Sequence, residues 1–590
     1  MPSARGWFIP ICIAALLLTS CVKNPFADSP PATPLFLAPI KVTSTALHTP
    51  QSCSDHFVPH TLDHTTTTDD GLIQMFEANG AGVAAGDLDN DGDLDLVLGN
   101  LDFPNTILWN EGNLNFRKEI FGDARGNSRA FTVVDVDGDS RLDIVLTRGT
   151  GEVNYWHNTQ VDPGPGSASA FVRETLPGVN RLAYVLNWGD LDGDGDLDLV
   201  TATYDAGLLT DRGNDYLLGN KGGVVYYQAD SLVNHAPCSC TWDPRLSGAV
   251  HSQPQPSDPP LYQQNVLAPQ SMALALILTD LNQDHHPDIL IGNDFEVQDQ
   301  SFLNTEGGWQ SVQPFATTSY STMSFDSGDI NNDGKDEIIA SDMNPYDTSP
   351  HNLADWLPVI ANLEPDRSRG DPQIGQNTLQ EQNRNGNWSN QATARGIDAT
   401  GWSWTARFGD LDNDGWLDLY VVNGMIEERV WSHLPNHELI EENQAFHNDG
   451  QGNFVKMPEW GLNATASGRS MLMEDIDLDG DLDIVVNNLR APAQLFENQL
   501  CGGSALEIDL EQTIVPNHKA VGAQLKLFTT IGVLQREVRA MSGYLSGDSS
   551  RITFGLPKNA AIDKLEIRWP DGAVSQVDQP SKSVLLHITR

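Results

Sequence analysis

Hydrophobic and acidic positions alternate in a short pattern that recurs seven times along the chain. Its first copy, at Asp87, reads DLDNDGDLD, and acidic or Asn residues hold positions 1, 3, 5 and 9 of every copy. The other copies begin at Asp135, Asp190, Asp280, Asp329, Asp410 and Asp475. Leu, Ile or Val fill most of positions 2, 8 and 10. These apolar side chains must be buried, so the pattern is not that of a merely solvated acidic face.

The flanks of the acidic pattern repeat as well. A short apolar run such as GVAAG precedes each copy, and a second run such as LDLVLGN follows it. Most copies then continue into a segment with Asn and Gly and an aromatic residue beyond, as in FHNDGQGNF, which is typical of a β-hairpin. Each unit is therefore predicted to be strand A, acidic loop, strand B, a connection, strand C, a tight turn and strand D. Seven such units predict an all-β fold, a seven-bladed β-propeller followed by a small C-terminal β domain.

The crowding of carboxylates in each loop requires a compensating charge. At about 4 Å and an effective dielectric constant of about 20, each like-charge pair costs roughly 4 kcal/mol. Oxygen ligands at positions 1, 3 and 5, a carbonyl at position 7 and a Gly at the sharp turn are the features of EF-hand-like Ca²⁺ loops. Position 6 is Gly in five copies and is Ser140 and His285 in the other two. Mg²⁺ suits so many carboxylates in one loop less well, so Ca²⁺ is the predicted cofactor.

Position 7 varies between Asp, Arg, His, Lys and Trp, so we expect it to contribute only its backbone carbonyl. The fourth loop is degenerate, and whether it binds Ca²⁺ stays open. The candidate ligands are Asp87, Asp89, Asp91, Asp93 and Asp95; Asp135, Asp137, Asp139, Arg141 and Asp143; Asp190, Asp192, Asp194, Asp196 and Asp198; Asp280, Asn282, Asp284 and Asp288; Asp329, Asn331, Asp333, Lys335 and Glu337; Asp410, Asp412, Asp414, Trp416 and Asp418; and Asp475, Asp477, Asp479, Asp481 and Asp483.

Two segments carry resemblances to known families. RFGDLDNDGWLDLY, around Asp410, resembles the FG-GAP/VCBS repeat family, which is related to the propeller of integrin α-subunits. Residues 520–572, with their GA, GYLS, FGL and WPDG elements, resemble the ASPIC/UnbV domain. A propeller followed by this domain is the arrangement of the cartilage acidic protein family and its bacterial relatives. The resemblance implies calcium binding and interaction with a partner, and it implies no established chemistry.

The charge balance narrows the classes of partner. The chain of 590 residues carries 80 acidic and 34 basic residues, a net charge of −46. Nonspecific nucleic-acid binding needs a basic surface and is therefore excluded. A strong acidic excess is compatible with the binding of divalent cations.

The N-terminus predicts export and anchorage. An apolar run from Gly6 to Leu18 is too short to span a bilayer and fits a signal sequence over residues 1–20. LTSC, ending at Cys21, resembles the bacterial lipobox, which implies lipidation of Cys21 and a membrane contact through that lipid alone. An ordinary secretory signal with an incidental Cys is the alternative. We expect a Pro-rich tether over 21–50, the propeller over 51–500 and the ASPIC/UnbV-like domain over 501–590. The protein is expected in the cell envelope, on the outer membrane if the host is Gram-negative, where it faces the periplasm or the surface.

The seventh unit lacks its strand D, and an N-terminal segment can supply it. FVPHTL at 57–62 closely resembles FVRETL at 171–176, the strand D of the second unit. We expect 57–62 to pair with the blade that holds 475–498, leaving no open sheet edge. Four cysteines outside the N-terminal region, Cys53, Cys238, Cys240 and Cys501, allow three disulfide connectivities. Because Cys53 and Cys501 flank this seam, we also expect a disulfide between them.

Two functions remain as hypotheses. The first is a non-enzymatic, calcium-stabilised, envelope-tethered binding or adhesion propeller that recognises a protein or a glycan. Its recognition surface is expected on the face opposite the acidic loops, where the insertions 232–268, 343–376 and 425–443 are predicted to lie, although neutral drift in tolerated loops would also explain them. The alternative is a polysaccharide lyase acting at the propeller channel, since calcium-binding propellers occur in rhamnogalacturonan lyases. No hydrolase, metalloprotease or nucleotide-binding motif is present, and the sequence shows no cluster of basic residues for uronates, so binding is favoured.

Overall fold

A computed structural model describes residues 37–49, 52–69, 73, 76–159, 170–213, 222–230, 259–295, 297–363 and 371–590. Ala38–Arg590 form one compact unit. The predicted signal sequence, Cys21, Cys238 and Cys240 lie outside the described residues. Within the described ranges, no helix combines the length and the apolar character needed to cross a membrane.

Seven antiparallel sheets follow one another along the chain, and each contains four strands in the order A, B, C and D. The A strands are buried along their whole length, whereas the D strands carry exposed side chains, so A is innermost and D outermost in each blade. The A, B, C and D strands are Val83–Gly86, Asp95–Leu98, Asn105–Asn110 and Phe116–Phe121 in blade 1; Ser128–Val134, Asp143–Arg148, Val153–Asn158 and Phe171–Glu174 in blade 2; Val185–Gly189, Asp198–Ala202, Val224–Gln228 and Gln263–Ala268 in blade 3; Ala273–Thr279, Asp288–Asn293, Gln300–Leu303 and Gln310–Val312 in blade 4; Ser324–Gly328, Glu337–Ser341, Thr378–Gln382 and Trp388–Asn390 in blade 5; Gly401–Gly409, Asp418–Asn423, Gln444–Asn448 and Phe454–Lys456 in blade 6; and Gly468–Glu474, Asp483–Asn488, Pro492–Asn498 and Phe57–Thr65 in blade 7.

The innermost strands form a closed ring. Each A strand contacts the A strand of the next blade, and the A strand of blade 7 contacts that of blade 1. Blade 7 takes its fourth strand from the N-terminus: Phe57–Thr65 runs antiparallel to Pro492–Asn498, with Phe57 opposite Asn498. A disulfide joins Cys53 to Cys501 at the same seam, with the Cα atoms 5.7 Å apart. Both the strand pairing and the disulfide predicted from the sequence are confirmed, and the ring has no open edge.

The C-terminal domain consists of two four-stranded sheets packed around Leu506, Leu525, Phe554 and Trp569. One sheet has the order Lys41–Ala46, Val584–Thr589, Gly503–Glu511 and Ile552–Pro557. The other has the order Gly532–Glu537, Gln524–Thr529, Ile562–Arg568 and Val574–Asp578. Residues 41–46 were expected in the tether but form an edge strand of this domain. All six of their side chains are exposed, so no apolar periodicity marked the strand in the sequence.

The largest insertion lies elsewhere in its blade than predicted. The segment LLGNKGGVVY was expected to be the C–D turn of blade 3, with 232–268 joining strand D to the next blade. Instead VVY begins strand C at Val224, and strand D is Gln263–Ala268, so the insertion between them joins C to D. Gly222 and Gly223 lie directly before strand C. Because C–D connections leave each blade on the side of the acidic loops, both ends of this insertion lie there, and the expectation that it joins the opposite face is wrong. Residues 231–258 of the insertion lie outside the described residues.

Short elements fill the remaining connections. The insertions 343–376 and 425–443 join strand B to strand C in blades 5 and 6, as predicted. Among the described residues the helices are Asp205–Arg212, Pro350–Leu363 and Ala392–Arg395, with 3₁₀ turns at Glu77–Asn79, Pro435–His437 and Pro458–Trp460. The short strands are Thr318–Ser319 with Gln373–Ile374, Met343–Asn344 beside Gly401–Gly409, Met425–Ile426 with Glu438–Leu439, and the hairpin Met541–Ser542 with Ser546–Gly547.

Candidate metal-binding loops

All seven acidic loops join strand A to strand B and share one hydrogen-bond scheme. The carboxylate at position 1 accepts the backbone N–H of position 6, at 2.6–3.1 Å between N and O. The carboxylate at position 5 accepts the N–H of position 7, at 2.9–3.1 Å. Each loop is thus wound around its own acidic side chains, which holds them on the concave side of the turn.

The carboxylate at position 9 ties each loop to its blade. It accepts the N–H of position 2 in all seven loops. In six blades it also accepts an N–H from the end of strand C, as Asp95 does from Asn110 at 2.8 Å. These side chains are almost fully buried, so position 9 fixes the base of the loop as well as offering oxygens to an ion.

The backbone turns twice through the left-handed region in every loop, at positions 4 and 6. Position 6 has positive φ even where it is not Gly, at Ser140 (70°) and His285 (69°). Position 4 has positive φ in all copies, including Asn90 (60°) and Leu478 (59°). Left-handed geometry costs a non-glycine residue roughly 1–2 kcal/mol, and Asn bears it best. The sequence analysis found the turn at position 6 and missed the one at position 4, although Asn or Gly stands there in five copies. The degenerate fourth loop keeps the shape of the others.

The loops bring together oxygens that fit a hard divalent cation. Ligand atoms of three carboxylates lie within 4.8 Å of one another in each of several loops, among them Asp87, Asp89 and Asp91, and Asp190, Asp192 and Asp194. Some of the inward-facing oxygens are buried and lack a hydrogen-bond partner among the described residues. They are Oδ1 of Asn331, Oδ1 of Asp412 and Oδ2 of Asp481. A buried oxygen without a donor is costly, and an ion with oxygen ligands would satisfy it.

Burial and mutual repulsion raise the pKa values of many loop carboxyl groups. Burial, together with repulsion from the neighbouring Asp89 and Asp87, raises the pKa of Asp95 to about 9. Burial raises the pKa of Asp190 to about 7, and burial together with Asp477, Asp475 and Asp481 raises that of Asp479 to about 9. These loops would therefore hold protons near neutral pH if no cation were bound, and a cation would have to displace them.

The side chains at position 7 differ in their contacts. Trp416 packs against Gly450, and Nζ of Lys335 lies 3.5 Å from the amide oxygen of Gln382, so neither contributes an oxygen to its loop. Arg141 behaves differently, because its guanidinium pairs with the carboxylate of Asp139 at position 5. In the second loop, therefore, a positively charged side chain of the protein pairs with one of the predicted calcium ligands.

Two histidines reinforce this difference of the second loop. His157 Nε2 lies 3.2 Å from a carboxylate oxygen of Asp137, and His518 Nδ1 lies 2.9 Å from Asp135. In the sixth loop His447 lies 3.2 Å from Asp418. The sequence analysis missed all three. His157 and His447 each precede the Asn that ends strand C, in the motifs WHN and FHN, and that recurrence was the available signal.

The C-terminal domain covers the loop side of the ring. The N–H of Asn517 donates to the carbonyl of Gly195 in the third loop at 2.9 Å. Nη2 of Arg551 donates to the carbonyl of Gly92 in the first loop, also at 2.9 Å. At the sixth loop the backbone of Gly502 lies so close to the Asp412 carbonyl that a Cβ would not fit. The candidate ion sites therefore lie at an interface between two domains, which the sequence pattern did not reveal.

A hairpin of the C-terminal domain also enters the propeller channel. Ser546–Gly547 pairs in parallel with Val83–Ala84, the innermost strand of blade 1. On other sides of the ring, the N–H of Gly543 donates to the carbonyl of Phe325 at 2.9 Å, and that of Met471 donates to Ser546 Oγ at 3.1 Å. This hairpin contains the GYLS element, and it fills the space where the alternative hypothesis expected a lyase site.

A cavity of about 420 Å³ lies between the ring and the C-terminal domain, and basic side chains line it. They come from distant parts of the chain, so the sequence showed no cluster. Three of its four arginines pair with carboxylates, and the pairs are Arg407–Asp548 (2.7 Å), Arg539–Asp326 (3.1 Å) and Arg551–Asp509 (3.3 Å). The charges in the cavity are thus largely balanced within the protein, which is unlike a cleft that binds polyuronates.

The face opposite the loops is built from B–C connections. The insertions of blades 5 and 6 pack together there through aromatic rings. The ring centroid of Trp356 lies 5.7 Å from that of Trp402 and 6.3 Å from that of Trp431. Glu441 binds this cluster by accepting the N–H of Trp402 at 2.6 Å. Several large apolar side chains on the B–C connections remain exposed, and these are Phe103, Leu209, Phe295, Leu357 and Ile440.

Comparison with protein families agrees with this architecture. A sequence model of the family described as FG-GAP-like repeat matches residues 87–146, 135–201, 280–340, 368–421 and 436–486. A model of the family described as ASPIC and UnbV matches residues 515–590. No curated protein was found to match the chain.

Solved structures that resemble the chain at low sequence identity include the following two. The crystal structure of BBS1N in complex with ARL6DN, soaked with mercury, has 8% sequence identity and a TM-score of 0.37, covering 71% of this chain and 93% of that chain. The structure of the Dos1 propeller has 9% identity and a TM-score of 0.36, covering 78% and 96%.

Proposed function

The chain is an FG-GAP repeat β-propeller with a C-terminal ASPIC and UnbV domain, and from this premise we propose that it is a calcium-stabilised binding or adhesion protein. It recognises a protein or a glycan with the propeller face opposite the acidic loops. The FG-GAP propeller is a scaffold of the binding or adhesion type, and neither family is typical of enzymes.

The observation that carries the proposal is the unequal use of the two faces. The loop face is engaged by the C-terminal domain, through contacts such as Asn517 with Gly195. The opposite face leaves Leu357 (66% exposed) and Ile440 (61% exposed) uncovered on two insertions that the ring does not need. Exposed apolar groups supported by a rigid aromatic cluster are typical of recognition surfaces.

Calcium is the proposed cofactor because the loops supply hard oxygen ligands and little else. The carboxylates of a loop, each with two oxygens, and the carbonyl at position 7 can together supply the six to eight oxygen ligands of Ca²⁺. The second loop is the exception, since Arg141, His157 and His518 already face its carboxylates. We therefore expect it to bind an ion more weakly than the loops at Asp87, Asp190, Asp410 and Asp475.

The proposal includes anchorage of the exported protein to a membrane of the cell envelope through a lipid on Cys21. The signal-like N-terminus and the LTSC motif support it. An attached lipid would leave the propeller in the periplasm or at the cell surface.

The proposal is tested by a screen of glycans and envelope proteins against the wild type and a surface variant. The double variant Leu357→Asp, Ile440→Asp removes apolar contacts from the B–C face, and Ile120→Asp, on an outer strand with 58% exposure, is the matched control. We expect the double variant to lose binding at least tenfold while the control binds as the wild type does. Equal binding by all three proteins would contradict the assignment of the surface, and unsaturated products from an anionic polysaccharide would favour the lyase.

A further inference from the structure

We propose that Glu507 of the C-terminal domain is an additional oxygen ligand of the cation in the seventh acidic loop, so that one ion joins this domain to the propeller. The inference rests on the proposed calcium binding and adds a ligand from outside the repeated loop pattern.

Glu507 lies in the strand Gly503–Glu511, which runs directly over the seventh loop. A Cβ on Gly480, at position 6 of that loop, would lie 3.3 Å from the Cβ of Ala505, two residues from Glu507. The strand is fixed by its neighbours, since Glu507 is opposite Thr553 on one side and Leu585 on the other. The side chain of Glu507 is therefore held in place by two flanking strands and is 0% exposed.

The carboxylate of Glu507 has no donor to balance it. Neither of its oxygens has a hydrogen-bond donor among the described residues. The side chain that it contacts is Asp475, the position 1 carboxylate of the loop. Arg551 is the cation that acts on Glu507 from nearby, but its guanidinium is paired with Asp509 at 3.3 Å. Two buried carboxylates in contact repel each other strongly unless a positive ion lies between them.

The seventh loop supplies the other ligands. Position 7 offers its backbone carbonyl, because the side chain of Asp481 accepts a hydrogen bond from Asn413 of the sixth loop. This carbonyl and the carboxylates of Asp475, Asp477, Asp479, Asp483 and Glu507 together offer at least six oxygens, which suits the six to eight oxygen ligands of Ca²⁺.

The contrast with the second loop supports the assignment. There the C-terminal domain sets His518, which can carry a positive charge, against the position 1 carboxylate of Asp135 at 2.9 Å. At the seventh loop the same domain sets an acid against the position 1 carboxylate of Asp475. The same domain thus places a basic group at the second loop and an acid at the seventh. The added acid would be stabilised if the seventh loop already contained a cation.

The test compares Glu507→Gln with Glu511→Gln, an exposed residue on the same strand, in the full-length protein. The melting temperature is measured in EDTA and in excess Ca²⁺, and bound calcium is counted by equilibrium dialysis. If Glu507 is a ligand, the calcium-induced rise in melting temperature is smaller in E507Q than in the wild type. One site should also bind Ca²⁺ about tenfold more weakly or be lost, whereas E511Q behaves as the wild type does.

An unchanged calcium-induced rise in the melting temperature of E507Q would overturn the inference. Combining E507Q with Asp475→Asn provides a second measurement, since two ligands of one ion should give non-additive losses of calcium response. A wild-type protein that does not respond to calcium at all would instead overturn the proposed cofactor itself.

Discussion

Tyr544 of the C-terminal domain lies against Trp404 of the sixth blade, with the ring centroids 5.1 Å apart. Both rings are almost fully buried, and the Tyr544 hydroxyl donates to the carbonyl of Asn79 at 3.0 Å on another side of the channel. The C-terminal domain is therefore a structural part of the propeller's centre and not an appendage on a linker.

This relationship predicts a large effect of Tyr544→Ala. Removing a fully buried aromatic ring typically costs about 3–5 kcal/mol, and no other group can fill the channel without rearrangement. Tyr544→Phe, which keeps the ring and loses only the hydroxyl, should cost about 1 kcal/mol. Urea denaturation in the presence of Ca²⁺ would measure both. A similar small loss in the two variants would mean that the hairpin contributes little to stability.

Each loop that binds calcium should add separately to the stability of the protein, so calcium removal should lower the melting temperature. Extracellular modules bind Ca²⁺ with dissociation constants of about 10⁻⁴ M at their tighter end, so at about 1 mM each site adds roughly 1.4 kcal/mol. We expect Asp190→Asn to reduce the calcium-induced rise in melting temperature and Asp135→Asn to leave it almost unchanged. The reason is that His518 and Arg141 already face the second loop. A wild-type melting transition that EDTA does not shift would refute calcium stabilisation.

Calcium should abolish a fall in stability that rising pH causes in its absence. In EDTA, Asp190, Asp198 and Asp479 have pKa values raised by burial to about 7, 8 and 9. The folded protein then binds more protons than the unfolded chain, so stability falls as the pH rises from about 4 to about 9. Bound Ca²⁺ keeps these groups ionised in the folded state and should abolish the fall. Melting curves at several pH values, with and without Ca²⁺, would show whether the two profiles differ.

Cys21→Ala should release the protein from membranes. A lipid on this residue is the single membrane contact that the sequence predicts, and a net charge of −46 does not favour adsorption to an anionic membrane. Fractionation of cells that express the two forms would measure the change. Continued sedimentation of the variant with membranes would show that LTSC is not a lipobox.

The sequence predicted the local elements well because each is encoded by a repeated short pattern. The alternation of acids and apolar residues identified every acidic loop and its flanking strands, and the likeness of 57–62 to 171–176 identified the closing strand. The pairing of Phe57 with Asn498 and the disulfide of Cys53 with Cys501 confirm that inference.

Features that depend on contacts between distant segments could not be predicted in this way. The contact between His518 and Asp135 joins residues that are 383 positions apart, and no local pattern marks it. The side chains of the strand Lys41–Ala46 are all exposed, so no apolar pattern marks it in the sequence. In blade 3 the insertion was assigned to the wrong connection because a Gly-rich turn can precede a strand as well as follow one.

The pairing of Phe57–Thr65 with Pro492–Asn498 has a consequence for the order of folding. The last blade cannot be completed until its third strand has been synthesised, because its fourth strand is made among the first. Until then strand 57–65 has no partner, and the growing array presents a free edge at each end. Such long-range closure is slow, and the incomplete ring is exposed to misassembly. A chain truncated before Pro492 should therefore aggregate even though most of its blades are intact.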